Sequence, residues 1–166
     1  GVVDEYQEIR WDLRPSPSLG TLEVRVCDGL PTLLEVGAVA ALTHCLVVDL
    51  GRRLDAGETL PVLPPWHVQE NKWRAARYGT EAIVILDAAN RERLVTDDVR
   101  DLVERLAPLA RELGCERQLL DVLVILAAGS SADRQRAVAA RHGGDLAAVV
   151  ASLVAELDAG RPLPGI

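Results

Sequence analysis

Between Glu8 and Arg14 apolar and charged residues alternate, with Ile9, Trp11 and Leu13 on one side and Arg10, Asp12 and Arg14 on the other. A period of two predicts a strand with one buried and one polar face. Turn residues follow at Pro15-Ser-Pro-Ser-Leu-Gly20, and Thr21 to Asp28 alternates again, Leu22, Val24 and Val26 opposing Thr21, Glu23, Arg25 and Cys27. The two segments predict an antiparallel hairpin with a six-residue connection. On its polar face Arg10, Asp12 and Arg14 join Glu23 and Arg25. Solvation and cross-strand ion pairing account for many such faces, but the proline-flanked connection is longer and stiffer than a simple hairpin needs.

The period then changes to that of helices. Thr32 followed by Glu35 is a capping box ahead of a long alanine-rich apolar run, predicting a helix to about Leu54 that ends at Ala56-Gly57. His44 lies inside it and is assigned no chemistry. A proline-rich loop, Leu60 to Pro65, leads into a helix from Pro65 to Tyr78 stopped by Gly79. Trp66, Glu70, Trp73 and Arg77 form one stripe of that helix, and Asn71, Arg74 and Tyr78 the next. If the helix is merely structural, Glu70 pairs with Arg74 and Arg77 in water while both indoles pack inward. Ala82 to Leu86 is a short apolar strand, Asp87 to Asn90 a turn, and the chain returns through Leu94 and Val95. Thr96 is expected to cap a helix with Asp97 and Asp98 in its first turn, a kink near Pro108 and an end at Gly114. Three further helices are predicted over Gln118–Ala128, Ala132–His142 and Asp145–Leu157, punctuated by Gly129, Gly143-Gly144 and Gly160. The fold class is therefore α+β, antiparallel strands on the N-terminal side followed by about six helices, in one unit over 1–166.

Composition narrows the function. At 49% hydrophobic and 26% charged, 166 residues can bury one sizeable core, and a disordered tail is excluded. The core must be aliphatic, since Phe and Met are absent and aromatics are 3% of residues. A net charge of −7 with scattered basic residues leaves no footprint for nucleic acid or an anionic membrane. Lys72 is the only lysine among 18 basic residues, so any anion must be held by guanidinium forks. Cys27, Cys45 and Cys115 are odd in number and lack metal spacing, which points to a reducing cytoplasm. Val36 to Leu50, the longest apolar run, is interrupted by Thr43, His44 and Asp49, and no signal peptide is read. Gly1 opens directly into patterned sequence, so the chain is expected to be a piece of a longer protein.

Phosphate loops, GxSxG, HExxH and EF-hand signatures are absent. What remains are three strings in order: Ile9-Arg-Trp-Asp-Leu-Arg-Pro-Ser-Pro17, Gly20-Thr-Leu-Glu-Val-Arg-Val-Cys-Asp28, and the helix Glu70-Asn-Lys-Trp-Arg-Ala-Ala-Arg-Tyr-Gly79. Together they resemble the carboxylate-amine ligases, the type 2 glutamate-cysteine ligase group related in fold to glutamine synthetase. The resemblance runs from about Ile9 into the C-terminal helices.

It implies a reaction in which ATP phosphorylates the γ-carboxylate of glutamate and an amine such as cysteine attacks the acyl phosphate, with Mg2+ holding the nucleotide. Interleaved acids and arginines suit such chemistry. By resemblance, Glu23 is assigned to magnesium and Arg25 to the substrate carboxylate or transferring phosphoryl. Arg14 is a second anion-binding group. Asn71 and Arg74, with Glu70 and Arg77, are assigned to substrate binding at the edge of the site. Asp12 and Asp28 either orient an arginine or touch ligand. The family's catalytic unit is longer, its N-terminal half supplying strands and acids for the nucleotide site, so the expected partner is that half, in the same protein or a second chain. Neither nucleic acid nor membrane is expected, and the apolar helix Thr32 to Leu54 could be covered by the missing half or by a symmetry mate. The competing readings are a non-catalytic binding or assembly domain of the same ancestry, and an unrelated helical interaction module with a solvated hairpin.

Overall fold

The computed structural model describes residues 8–163. The chain divides into two compact units, a small one ending at Leu30 and a larger one beginning at Pro31.

The small unit is built on one hairpin, β1 (Leu13–Ser16) against β2 (Thr21–Val24). Their register pairs Leu13 with Val24, Arg14 with Glu23, Pro15 with Leu22 and Ser16 with Thr21. Arg25 N–H donates to the Asp12 carbonyl at 2.8 Å, continuing the ladder by one pair. Hydrogen-bonded pairs therefore alternate at 12/25, 14/23 and 16/21, and Pro15 falls between them, where its missing N–H costs nothing. The strand is shorter than expected at its start: β1 begins at Leu13, and across from it β2 gives way to a bend at Val26-Cys27. Since Pro15 and Ser16 belong to β1, the connection is Pro17 to Gly20 rather than six residues, closed by a Leu19 N–H bond to the Ser16 carbonyl. Gly20 supplies the left-handed residue there, at φ +61°. The predicted buried face is also absent: Trp11, Leu13, Leu22 and Val26 are all exposed. Among the described residues of the small unit there is no further strand or α-helix, and two strands alone enclose no core.

The larger unit holds the helices. Among the described residues they are α1 (Leu33–Asp55), α2 (Pro65–Tyr78), α3 (Val95–Glu112), α4 (Glu116–Ala128), α5 (Ser131–Arg141) and α6 (Leu146–Ala159). A second hairpin, β3 (Ile83–Ile85) with β4 (Glu92–Leu94), separates α2 from α3. The α+β layout and the boundaries of α1 and α2 are as expected. Thr32 caps α1, its hydroxyl accepting from Glu35 N–H at 3.2 Å. Thr96 does not cap α3. Leu94 occupies that position without a side-chain bond. Val95 N–H already reaches the Ala82 carbonyl at 2.9 Å, so the sheet rather than a cap sets where α3 begins. α3 continues through Pro108 to Glu112.

The core lies where α1, α3 and α4 meet. Ala38, Ala41 and Cys45 of α1 face Val103, Leu106 and Ala110 of α3 and Leu119 and Val122 of α4. Small residues at spacings of three and four let the helices approach closely, and Leu106 and Leu119 fill the space between. α1 has the length and mean hydropathy of a membrane span, with Ala38, Ala41 and Cys45 buried in the bundle and Leu33, Val36, Val47, Leu50 and Leu54 exposed. α5 packs on α6. Arg134 of α5 ties that pair to α1. It reaches Glu156 at 2.7 Å, Glu35 at 2.8 Å and the Gly129 carbonyl at 2.7 Å, all in the interior.

Candidate functional site

In the hairpin unit, the register sets Arg14 and Glu23 directly opposite on one face, with Arg25 two residues beyond Glu23 on the same side. The Glu23 carboxylate is gripped from both sides. Arg14 Nε donates to Oε2 at 2.7 Å, and an Arg25 Nη donates to Oε1 at 2.9 Å. The cluster carries two cations around one anion. Glu23 and Arg25 are exposed and Arg14 is half-buried. Asp12 sits at the adjoining pair of the ladder, opposite Arg25. Arg10 and Asp28 lie outside the strands.

In the helical unit, α2 starts at Pro65, where a missing N–H is harmless, and stops at Gly79, whose φ of +55° breaks the helix. Its inner face is polar. Asn71 donates from Nδ2 to the Ile85 carbonyl and accepts from Ile85 N–H, each at 2.8 Å, so its amide acts as an extra strand partner for β3. Arg74 donates to Glu70 at 2.8 Å, to Glu92 at 2.6 Å and to the Ile83 carbonyl at 2.9 Å. The hydrogen bond to Glu70, reinforced by the one to Glu92, holds the Arg74 guanidinium in its charged form even more firmly than usual. His67 is buried, its Nε2 2.6 Å from Asn90 Oδ1, while Nδ1 has no hydrogen-bond partner. The expectation that the indoles pack inward is overturned: Trp66 and Trp73 are 59% and 55% exposed. The inner stripe meets the backbone of β3, where Asn71 both donates to and accepts from Ile85, and an indole has no acceptor for the Ile85 N–H.

Beside that stripe lies a cavity of about 420 Å³, lined by Glu70, Trp73, Arg74, Tyr78, Glu81, Ile83 and Glu92. Trp73 and Tyr78 meet edge to face at 5.7 Å, and the Arg77 guanidinium lies 5.6 Å from the Tyr78 ring centre. Glu70 and Arg74 therefore line the cavity, Asn71 holds the helix against β3 next to it, and Arg77 backs its aromatic wall. Glu81 and Glu92 were not singled out from the sequence. Only the 83–94 hairpin brings Glu92 to Arg74, a pairing that helical spacing does not reveal. Among the described residues no group of three acids, histidines and cysteines converges as a metal cage.

The profile of glutamate-cysteine ligase family 2 matches residues 1–152. A protein of Mycobacterium ulcerans named "Putative glutamate–cysteine ligase 2" is 63% identical over 158 residues, covering 95% of this chain and 40% of its own length. Proteins of the same name from Mycobacterium tuberculosis and Mycobacterium bovis are 64% identical over 157 residues, or 95% of this chain and 42% of theirs. The chain thus spans about two fifths of the length of the curated relatives it matches. With the three strings of Ile9–Asp28 and Glu70–Gly79 falling inside the matched region, the chain belongs to glutamate-cysteine ligase family 2.

Proposed function

We propose that this chain is the C-terminal portion of an ATP-dependent carboxylate-amine ligase that joins the γ-carboxylate of glutamate to an amine such as cysteine. The observation that carries the reading is the Arg14–Glu23–Arg25 cluster, found in a chain of this family. Its two guanidinium groups suit an anion, and a planar fork can hold two oxygens of a carboxylate or phosphoryl group at once. Each arginine holds one oxygen of the exposed Glu23 carboxylate. Such pairs are weak, worth up to about 1 kcal/mol, so an incoming anion can replace Glu23 as partner at little cost.

In this role Arg25 and Arg14 orient the glutamate carboxylate and offset charge that grows on the transferring group. ATP would supply the phosphoryl group that activates the carboxylate. Glu23 alone is not a cage for Mg2+, which takes near-octahedral oxygen coordination. It is proposed as one ligand, freed when the arginines turn to the substrate, with other oxygens coming from the nucleotide and from the rest of the protein. Glu70, Asn71, Arg74 and Arg77 are proposed to shape the substrate-binding edge through the cavity beside α2. A cytoplasmic setting accords with three unbridged cysteines, Cys27, Cys45 and Cys115.

The test uses the full-length protein with glutamate, magnesium-ATP and a panel of amines including cysteine, following phosphate release and amide product together. Glutamate- and amine-dependent release supports the assignment. Release of neither product with any amine overturns it in favour of the binding or assembly reading.

A further inference from the structure

Two of the three thiols meet inside the helical unit. Cys45 lies on the inner face of α1 with no exposure, and Cys115 stands at the corner between α3 and α4, half-buried. Their sulfurs are 3.8 Å apart although the residues are 70 positions apart in sequence. Both belong to the packing around Ala110, Leu119 and Val122. A disulfide needs sulfurs at about 2.05 Å, so the two side chains must close the remaining gap between them. Cys115 is the N-cap of α4, its N–H donating to the Ala110 carbonyl at 2.9 Å and its carbonyl accepting from Leu119 N–H at 3.0 Å, so its backbone is fixed at the corner and any approach falls to the side chains.

We propose that Cys45 and Cys115 are a reversible modification site, an internal dithiol oxidised to a disulfide by a low-molecular-weight disulfide. Exposure sets the order of events. Cys115, the sulfur a reagent can reach, attacks one sulfur of the small disulfide as its thiolate, forming a mixed disulfide and expelling one small thiolate. That thiolate takes the Cys45 proton. Cys45 sulfur then attacks Cys115 Sγ, forming the internal bond and expelling the second small thiol. Two protein thiols and one small disulfide become one protein disulfide and two small thiols. Burial, reinforced by Cys115, pushes the Cys45 thiol up to about 11, so Cys45 stays protonated at neutral pH and acts second. The product staples the middle of α1 to the α3–α4 corner, closing a long loop across the core. This proposal does not depend on which amine, if any, the protein ligates.

The test takes the chain with Cys27→Ser, which removes the exposed third thiol, and incubates it with oxidised glutathione. The expected product is a monomer lighter by two hydrogens, without a glutathione adduct, whose digest contains the Cys45 and Cys115 peptides joined. Thermal unfolding should rise by on the order of 10 °C, as closing so long a loop predicts, and a reducing thiol should restore the starting value. Adding Cys45→Ala should convert the product to a stable glutathione adduct on Cys115, and adding Cys115→Ser instead should abolish reaction. A lasting adduct on Cys115 with Cys45 present, a disulfide-linked dimer, or no reaction would each overturn the proposal.

Discussion

Two guanidinium–carboxylate clusters in this molecule are opposites. In the helical unit one cation, Arg134, stands between two anions, Glu35 and Glu156; in the hairpin unit one anion, Glu23, stands between two cations, Arg14 and Arg25. The first cluster is closed. The Arg134 side chain is 9% exposed, those of Glu35 and Glu156 2% and 6%, and the remaining polar groups are matched: Thr32 hydroxyl donates to Glu35, Leu163 N–H to Glu156, and Arg134 to the Gly129 carbonyl. Glu35 also lies in the first turn of α1, where the helix dipole favours a negative charge. The second cluster is open, with the Glu23 side chain 45% exposed. The same pair of functional groups thus forms a largely buried clamp in one unit and a more exposed cluster in the other. What separates them is the cost of losing a partner, large in the interior and small at the surface.

The sharpest way to break that contrast is Arg134→Ala. It leaves two buried carboxylates uncompensated and should cost about 3–5 kcal/mol in urea unfolding. Replacing the whole triad by Arg134→Met, Glu35→Leu and Glu156→Leu should recover most of that loss, because no buried charge remains. A cost for Arg134→Ala below about 1 kcal/mol would place it with ordinary surface pairs and remove its role in holding α5 and α6 on α1.

Next is Arg25→Ala in the full-length protein. Stability should move by less than about 1 kcal/mol, whereas turnover should fall on the order of 100-fold through loss of a positioned charge-stabilising group. Turnover within a factor of a few of the parent would remove Arg25 from the chemistry. Glu23→Gln keeps the shape and removes the charge, so a magnesium titration should shift to higher concentration with little change in unfolding midpoint. An unchanged titration would leave Glu23 as an arginine-positioning group only.

These clusters were not equally visible in the amino-acid sequence. The alternation of Leu13-Arg14-Pro15 and Leu22-Glu23-Val24 is enough to put Arg14 and Glu23 on one face, while a six-residue connection would have set Arg14 opposite Thr21 and the shorter turn sets it opposite Glu23; Pro65 with Gly79 brackets α2 at both ends. The Arg134 triad joins residues 99 and 22 positions apart, and nothing local to Arg134 distinguishes it from Arg136, which points to Asp133 at the surface. Burial of charge becomes readable only when α1, α5 and α6 are assembled. The indoles of α2 mislead for a related reason. Hydrophobicity alone turns Trp66 and Trp73 inward, but α2 docks against the backbone of β3, whose N–H and C=O groups select Asn71 and Arg74. The exposed apolar side of the first hairpin shows the limit from the other direction, since its alternation is correct while Trp11, Leu13, Leu22 and Val26 stay exposed.

The smallest effect tests whether α5 owes its position to the clamp or to its own start. Ser130 and Asp133 form a reciprocal capping box, each side chain bonded to the other's backbone N–H at 3.2 Å. The Ser130 hydroxyl bond is the main reason the Asp133 carboxyl lies below its usual 3.8, with Arg136 adding to it. Ser130→Ala should cost about 1 kcal/mol at neutral pH. Because the folded value is depressed, the stabilisation from Asp133 is present above pH 3.8 and is lost as pH falls through the lower folded value. The difference between parent and Ser130→Ala, followed by urea unfolding from pH 7 downward, should therefore narrow only in strong acid. If it combines additively with Arg134→Ala, cap and clamp hold α5 independently. If the cap contributes nothing once Arg134 is gone, α5 is seated by the buried arginine alone, and the box forms only on a helix already in place.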